Sequence, residues 1–548
     1  SKLAKKTLSV FLATVLVLSC FSSALGVVAS AADEIGEPWD GTTATQPAQA
    51  EDGYYLISNG AELAWLRNQV VNNVDRSING RLTANINLDN KVWEPIGNNS
   101  RQYAGTFDGQ GYTISNLTVT STSVDRGLFG KITTSAVIKN ININDVTITT
   151  VRDYAGGVVG VAVGGTISNC HVKGINIATT KAYVGGIVGY VSGATVISGC
   201  TVTGTSSMKT LSGSAYIGGI LGEIRANNVV ISDCVVDNLN ISGTSSDTRI
   251  AGAVGNAAYR FSMYDCLVKN VNVTGVKKVG GLAFVIRTGS VIERCGVIDS
   301  TLTATQTSAS TDTEIGGLIA VVTDSTINTV QYCYVYNTTV STYGRVSGGF
   351  IGKVETARHI LSENYCAAEL ILKASPTRAG SLIGWASTGE YNDMYYVPNG
   401  SQAYIGEKAS AAVLNNVASI TDSEAKNGTL LNNLNARTNI WKEGDDGYPV
   451  IDRLLAAEPA TDENGVYLIA TAYPLEWFRK HVNSGNTTKN ARLIADIDLN
   501  NKRIEPIGAD SVRYAGIFDG DGFIISNLNM LTPGSYRGLF GSTTPTAV

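Results

Sequence analysis

The sequence predicts an all-β protein, a right-handed parallel β-helix solenoid built from coils near 32 residues long. Three observations carry that expectation: a glycine-centred motif that returns at this period, short alternating β-branched runs between the motifs, and cysteines that recur once per period. The motif opens at Gly127-Leu128-Phe129-Gly130 and recurs at Gly157, Gly186, Gly219 and Gly252. It continues in degraded form at Gly281, Gly317, Gly349 and Ser381, with spacings of 30, 29, 33, 33, 29, 36, 32 and 32 residues. Variable spacing about one period is how stacked coils absorb insertions, because each coil contacts only its neighbours. Runs such as Val196-Ile197-Ser198-Gly199-Cys200-Thr201-Val202 lack helix-length apolar periodicity and read as strands. Three short strands per coil and nine or ten coils are the simplest reading of the first module.

The elements follow in chain order. Residues 1–32 read as a signal peptide: Lys2, Lys5 and Lys6 precede an apolar run from Leu8 to Leu18, and small residues stand at Ala29-Ser30-Ala31-Ala32. That run is too short to span a bilayer as a working helix. Cys20 after Val17-Leu18-Ser19 is a rival lipid-anchor reading, weakened by the bulk of Leu18. Residues 33–51 are polar and rich in Pro, Thr, Gln and Ala, and are expected to form a flexible leader.

Residues 52–455 make up the first module. A helix over Asn59 to Val70, with Leu63, Leu66 and Val70 on one face and Trp65 flanking, is expected to cap the open end of the solenoid. The closing segment contains Leu430 to Asn435 and Trp441 to Val450. A linker at 456–464 follows, and residues 465–548 repeat the beginning of the first module. Tyr55-Leu56-Ile57 through Gly130 is matched by Tyr467-Leu468-Ile469 through Gly541, and the second copy carries its own cap residues Leu475, Trp477, Phe478 and Val482. The second copy stops where its coils should begin, so the chain is expected to be the N-terminal piece of a longer protein.

Eight cysteines occur, and the seven beyond Cys20 lie 13 to 17 residues after the glycine that opens each unit: Cys170, Cys200, Cys234, Cys266, Cys295, Cys333 and Cys366. One inward column accounts for this, with Asn140 in the first unit and Met394 in the last. No C-x₂-C pair occurs, which speaks against zinc. Buried free thiols behaving as small hydrophobes are favoured over disulfides between adjacent coils, although stacked Cα atoms are close enough for a bridge.

Several motifs resemble a known family. Trp93-Glu94-Pro95-Ile96-Gly97, Tyr103 to Gly111, Ile114-Ser115-Asn116-Leu117 and Gly127 to Gly130, echoed at Ile504 to Gly508, Phe518 to Gly522, Ile525 to Leu528 and Gly538 to Gly541, resemble the GLUG-motif modules of secreted bacterial proteins. The resemblance implies a large cell-surface, adhesin-like chain or the N-terminal region of an IgA-protease-like metallopeptidase. The peptidase chemistry of the latter belongs to a His-Glu-x-x-His domain, a motif that does not follow His171, His359 or His481.

The charged residues name no enzyme. Glu223 and Arg225 with Arg249 and Arg260, or Arg287, Glu293 and Arg294, are the best clusters for a carbohydrate-active β-helix enzyme, which needs a paired acid and base. A solvated face explains them more simply, and no catalytic residue is expected. No cofactor is expected either; calcium at Asp108, Asp519 and Asp521 is the alternative to turns in which aspartate caps backbone amides. The formal net charge of -5 and the lack of a Lys/Arg block beyond the signal argue against nucleic acid. Any tie to a membrane would run through the signal peptide or an anchor elsewhere.

Function is therefore expected at the surface. Tyr154, Tyr183 and Tyr216 precede glycine motifs and can stack in a column, facing either out or in. Tyr332, Tyr334, Tyr336, Tyr343, Tyr391, Tyr395 and Tyr396 form a second aromatic concentration and are candidates for surface binding. The expected role is a non-catalytic, extracellular scaffold or adhesin-like stalk. Its partners would be a glycan, a surface or matrix protein, or further copies through the module faces. A structural component of a surface layer or filament, a carbohydrate-active enzyme and the accessory region of a peptidase are the alternatives.

Overall fold

The computed structural model describes residues 36–548 except 121–124, 151–152, 181, 212, 308–312, 357, 374–377, 401, 437–439, 452–458, 460, 463, 484, 500–502, 505, 509–511 and 531–537. The segment read as a signal peptide, with Cys20, lies outside the described residues, as does most of the expected linker. The first module is a parallel β-solenoid. Among the described residues its strands form a 26-stranded sheet, a 9-stranded sheet and a 10-stranded sheet, here sheets I, II and III.

A full coil holds three strands, as expected, where its long side is continuous, as in Val159–Ala162, Gly165–Thr179 and Ala182–Gly185, and five where that side is broken, as after Gly219. After Gly219 these are Leu221–Ile224 in sheet III, then Val229–Ser232, Val235–Asp237 and Leu239–Ser242 in sheet I, then Arg249–Ala251 in sheet II. Single residues in the left-handed region break the long side into three: Asp233 has φ 55° and Asn238 φ 58°. Asn and Asp tolerate this conformation because their side chains bond locally. Successive coils pair in parallel register, as in Val196↔Val230, Ile197↔Ile231 and Ser198↔Ser232. Alternation then sends Ile197 and Ile231 inward to full burial, each Val, Ile or Leu so placed contributing about 1.5–3 kcal/mol.

The cysteine column exists with two corrections. Cys170 pairs with Ile141, so Ile141 and not Asn140 occupies the position in the first unit. Asn140 belongs to the preceding, left-handed column, where its side chain donates to Asp108 and accepts from Asn169. At the other end Tyr334 pairs with Tyr365, which places Asn364 over Cys333, and Val335 pairs with Cys366. Cys366 thus sits one inward position further on, and Met394 returns to the original column beside Asn364, because Tyr365 pairs with Tyr395. All seven thiols are free and buried. Burial pushes the pKa of Cys200, Cys234, Cys266 and Cys333 well above the usual thiol value.

The cap is a helix, α1, at Gly60–Val71, started by the Asn59 side chain accepting from the Glu62 backbone at 3.0 Å. Leu63, Ala64, Leu66 and Val70 are buried in the main core, and Trp65 packs at a tilt against Tyr55 with ring centroids 5.0 Å apart. Residues 36–51, expected to be a flexible leader, lie against this end instead. Trp39 is 4% exposed and meets Trp93 edge-on, Pro38 bridges Asn87, and Gln49 bridges Tyr55. One tryptophan supplies the apolar area that the composition of the stretch conceals.

The closing segment forms helices α2 at Asp422–Lys426 and α3 at Thr429–Asn435, then a hairpin of Trp441–Glu443 with Pro449–Ile451. It folds back over the outer side of sheet I, where Leu430, Leu434, Trp441, Tyr448 and Ile451 form a second core with Tyr334, Tyr336, Tyr365 and Tyr395. The second copy contributes its own cap, α4, at Ala472–Asn483, with Leu475, Phe478 and Val482 buried in a separate core.

Asp108 is 5% exposed; its Oδ1 accepts from the Gln110 backbone and Asn140, and Oδ2 faces Lys139 Nζ at 3.2 Å. In the second copy Asp519 caps the amide of Asp521 at 2.9 Å. Both aspartates hold turns at residues with positive φ, Gln110 and Asp521. Among the described residues no three His, Cys, Asp or Glu side chains converge as a metal would need.

Candidate functional site

Sheets II and III meet at the glycine motif, and the tightness of this corner is what makes a groove. A Cβ on Gly186 would lie 2.3 Å from the Gly219 carbonyl oxygen, and one on Gly189 would lie 2.7 Å from the Ala155 nitrogen. Only glycine lets the backbones approach this closely. Three residues before each motif an outward side chain leaves sheet II; four residues after its start another leaves sheet III. The two columns touch across the corner, so this side of the coil is concave.

The sheet II column runs Tyr154, Tyr183, Tyr216, Arg249, Lys278 and Glu314, each in register with the next. The sheet III column places Tyr190 under Glu223 and Glu223 under Asn256. Tyr154, Tyr183, Tyr190 and Tyr216 are all half-buried. Tyr183 stacks on Tyr216 with centroids 5.1 Å apart, and Tyr190 lies 4.7 Å from Tyr154 and 5.7 Å from Tyr183. The result is an aromatic floor with one face open to solvent. Tyr190 was missed because it belongs to a different strand, although it stands directly after Gly189 as Glu223 does after Gly222.

Glu223 sits at the end of this floor with its side chain 0% exposed. Its Oε1 accepts from Arg225 Nε at 2.9 Å and from Asn256 Nδ2 at 3.0 Å, while its Oε2 is buried without a hydrogen-bond partner. Burial raises its pKa, and the hydrogen bond from Arg225 opposes the shift. The same burial, with the nearby Glu223 charge, raises Tyr183 and Tyr190. Arg249 donates to Asn256 Oδ1 at 2.6 Å and lies over the rings of Tyr216 and Phe284, at 5.1 and 5.6 Å.

Beyond Arg249 the groove becomes polar, with a depression of about 490 Å³ lined by Arg249, Lys278, Phe284, Arg287, Glu314 and Lys353 among others. Lys353 faces Glu314 at 3.5 Å and Glu355 at 2.7 Å, and Lys278 faces Asp247 at 3.6 Å. The Arg287 Nε is buried without a hydrogen-bond partner. Further along, Arg378 stacks on Trp385 at 4.1 Å and pairs with Glu407 through two bonds of 2.7 and 2.9 Å.

Of the charged clusters read from the sequence, Glu223, Arg225 and Arg249 come together in this groove. Arg260 does not; it lies at an exposed turn, bonded to Asn228. Arg287 lines the groove, but Glu293 and Arg294 belong to sheet I. There Arg294 binds Asp265 through two bonds of 2.8 and 2.6 Å and Glu293 at 3.2 Å, a buried structural ion cluster.

The late tyrosines proposed as a binding surface are mostly covered. Tyr334, Tyr336 and Tyr395 are the landing surface for the closing segment, with Trp441 5.8 Å from Tyr334 and Tyr448 4.6 Å from Tyr336. Tyr391 is fully buried in the main core and donates to the Thr388 carbonyl at 2.8 Å. Tyr332, Tyr343 and Tyr396 remain half-exposed and apart from the groove columns: Tyr343 carries Lys373 over its ring and Tyr396 stacks on Tyr404.

No family model matches the chain. It is similar to halomucin of Haloquadratum walsbyi, 31% identical over 112 residues, which is 18% of this chain and 1% of that protein. It is also similar to a protein of Evansella cellulosilytica named as a candidate Gly-rich membrane protein, 32% identical over 104 residues, 17% of this chain and 11% of that one. The chain therefore spans a small part of either relative. A solved structure of a candidate immunoglobulin A1 protease from Bacteroides ovatus overlaps 75% of this chain and 95% of its own, at 15% identity and a TM-score of 0.29. Among the described residues, no helix is long and apolar enough to cross a membrane.

Proposed function

We propose that the chain is part of a non-catalytic cell-surface stalk that binds an extended glycan along the groove between sheets II and III. The observation that carries this reading is the half-exposed floor of Tyr154, Tyr183, Tyr190 and Tyr216, which continues into a polar trough along the same line. Coil-on-coil spacing of about 4.8 Å repeats the contact surface at close to the length of one sugar ring. Aromatic faces suit the apolar face of such a ring, and paired charges suit its hydroxyls. The apolar run from Leu8 to Leu18 and the names of the two partial relatives, a halomucin and a Gly-rich membrane protein, accord with an exposed location.

The carbohydrate-active alternative has one observation in its favour, the buried Glu223 with its raised pKa. Glycosidic cleavage asks for a second carboxylate across the bond. Glu314 and Glu355, further along the groove, are engaged by Lys353.

The test is retention of the chain on a panel of insoluble polysaccharides and matrix proteins, with newly released reducing ends assayed in the same tubes. Retention on polysaccharide without product, lost in Tyr183→Ala and Tyr190→Ala, supports the reading. Product release transfers it to the enzyme alternative, and retention on matrix protein alone contradicts it.

A further inference from the structure

Resting on the glycan reading, we infer that Glu223 is the specificity-determining residue of the groove and that the sugar ring seated on Tyr183 and Tyr190 beside it is uncharged. The argument begins with the carboxylate oxygen that the fold leaves unused. Glu223 is sealed from solvent, and its Oε1 is fully employed by Arg225 and Asn256. Its Oε2 has no donor. A buried carboxylate oxygen without a donor is a poor choice for stability, because desolvation is not compensated. It is a sound choice for recognition, because a ligand that brings a donor restores what folding removed.

The surroundings specify that donor. Tyr190 lies one coil below Glu223 in the same ladder, and Tyr183 faces Tyr190 across the corner. A ring stacked on these tyrosines turns its edge toward the carboxylate. The hydroxyls at a sugar's edge donate readily to such an oxygen, and these charge-assisted bonds are the stronger kind. A carboxylated or sulfated ring in the same seat would set like charges together next to the electron-rich faces of the tyrosines.

The positive charges do not reverse this preference. Arg225 is already committed to Glu223. Arg249 is turned toward Asn256 and the rings of Tyr216 and Phe284. Arg225, whose side chain is 51% exposed, is the member of the cluster able to swing aside and admit a hydroxyl. Selectivity against acidic units thus arises from a built-in repulsive group as much as from an attractive one.

The experiment measures affinity of the full chain for soluble hydroxyethylcellulose, glucomannan and galactomannan, each beside its carboxymethylated form. The wild type should bind at least one neutral polymer about tenfold or more tightly than the carboxymethylated form. Glu223→Gln keeps the shape and the contact to Arg225 but replaces the acceptor by a donor. It should weaken binding to the neutral polymer about tenfold and erase the preference. A Glu223→Gln chain that keeps the wild-type preference overturns the inference and leaves the groove reading standing. Failure of the wild type to bind any of the polymers, neutral or acidic, defeats the glycan reading itself.

Discussion

Replacing Trp441 separates the work of the closing segment from that of the coils. The indole is 3% exposed and contacts the rings of Tyr334 and Tyr365, each at 5.8 Å, and Tyr365 Oη donates to the Pro449 carbonyl at 2.5 Å on the same hairpin. Removing a buried tryptophan side chain costs about 3–5 kcal/mol through lost transfer energy and the cavity left behind. The segment contains only two short helices and one hairpin, so a loss of that size should detach it while the coils remain folded, because solenoid coils are stabilised chiefly by their neighbours. Trp441→Phe behaves differently. The indole Nε1 is buried without a hydrogen-bond partner, and deleting an unsatisfied donor recovers roughly 1–3 kcal/mol, offsetting much of the lost ring area. Trp441→Phe should therefore lie within about 1 kcal/mol of wild type. Hydrogen exchange reads both effects at once. Trp441→Ala should raise exchange throughout residues 421–451, with little change in the strands around Cys200 and Cys234. Equal exchange in the two variants, or protection lost along the whole solenoid, would refute the reasoning.

Three further outcomes follow from the same contacts. Cys266→Ser should destabilise the chain by about 2 kcal/mol and Cys266→Ala by about 1, because the serine hydroxyl enters a sealed stack while alanine leaves only a small void; denaturant unfolding orders the two. Arg294→Ala should cost about 3–5 kcal/mol, since Asp265 and Glu293 would keep buried charges without their counter-ion, and the loss should appear as a lower midpoint in urea. Glu223 has a folded pKa above the ordinary 4.5, so the folded state binds its proton more tightly than the unfolded state and stability falls as pH rises from about 4.5 through the raised pKa. The groups facing it are Arg225, Arg249, Asn256, Tyr183 and Tyr190; Glu223→Gln should flatten that part of the melting-temperature profile, and an unchanged profile would assign the slope to another group such as Glu314, which burial also raises.

The parts of this molecule that were legible in its sequence are those governed by local repetition. The glycine motif marked most corners because two backbones pass within contact distance there, and it degraded only where a residue such as Ser381 or Ala320 is accommodated. The cap helix showed in Leu63, Leu66 and Val70 because helical spacing is a local property. The tyrosines of the sheet II column were visible as a column for the same reason, though their direction was not. What escaped was set by contacts between distant segments. Tyr334 and Tyr336 look like a surface array until Trp441 and Tyr448, about a hundred residues later, are folded onto them. Cys366 looked like a seventh member of the column because spacing from Gly349 does not fix the pairing, in which Tyr334 lies on Tyr365 and Asn364 therefore on Cys333. Trp39 belonged to a stretch whose composition promised no burial, and one side chain was enough to reverse that expectation. The site required both columns at once: Tyr190 and Glu223 acquire meaning only when sheet III is laid against Tyr183 and Tyr216 of sheet II.

The most direct test of a glycan-binding groove is the affinity of the full chain for the neutral polymers described above, measured beside Tyr183→Ala, Tyr190→Ala and, as a control at the late aromatic cluster, Tyr396→Ala. The groove account predicts that the first two each weaken binding by about 1–3 kcal/mol while the third leaves it unchanged. Loss of binding in Tyr396→Ala with full binding in the two groove variants would contradict it and move the binding surface to the far side of the coil.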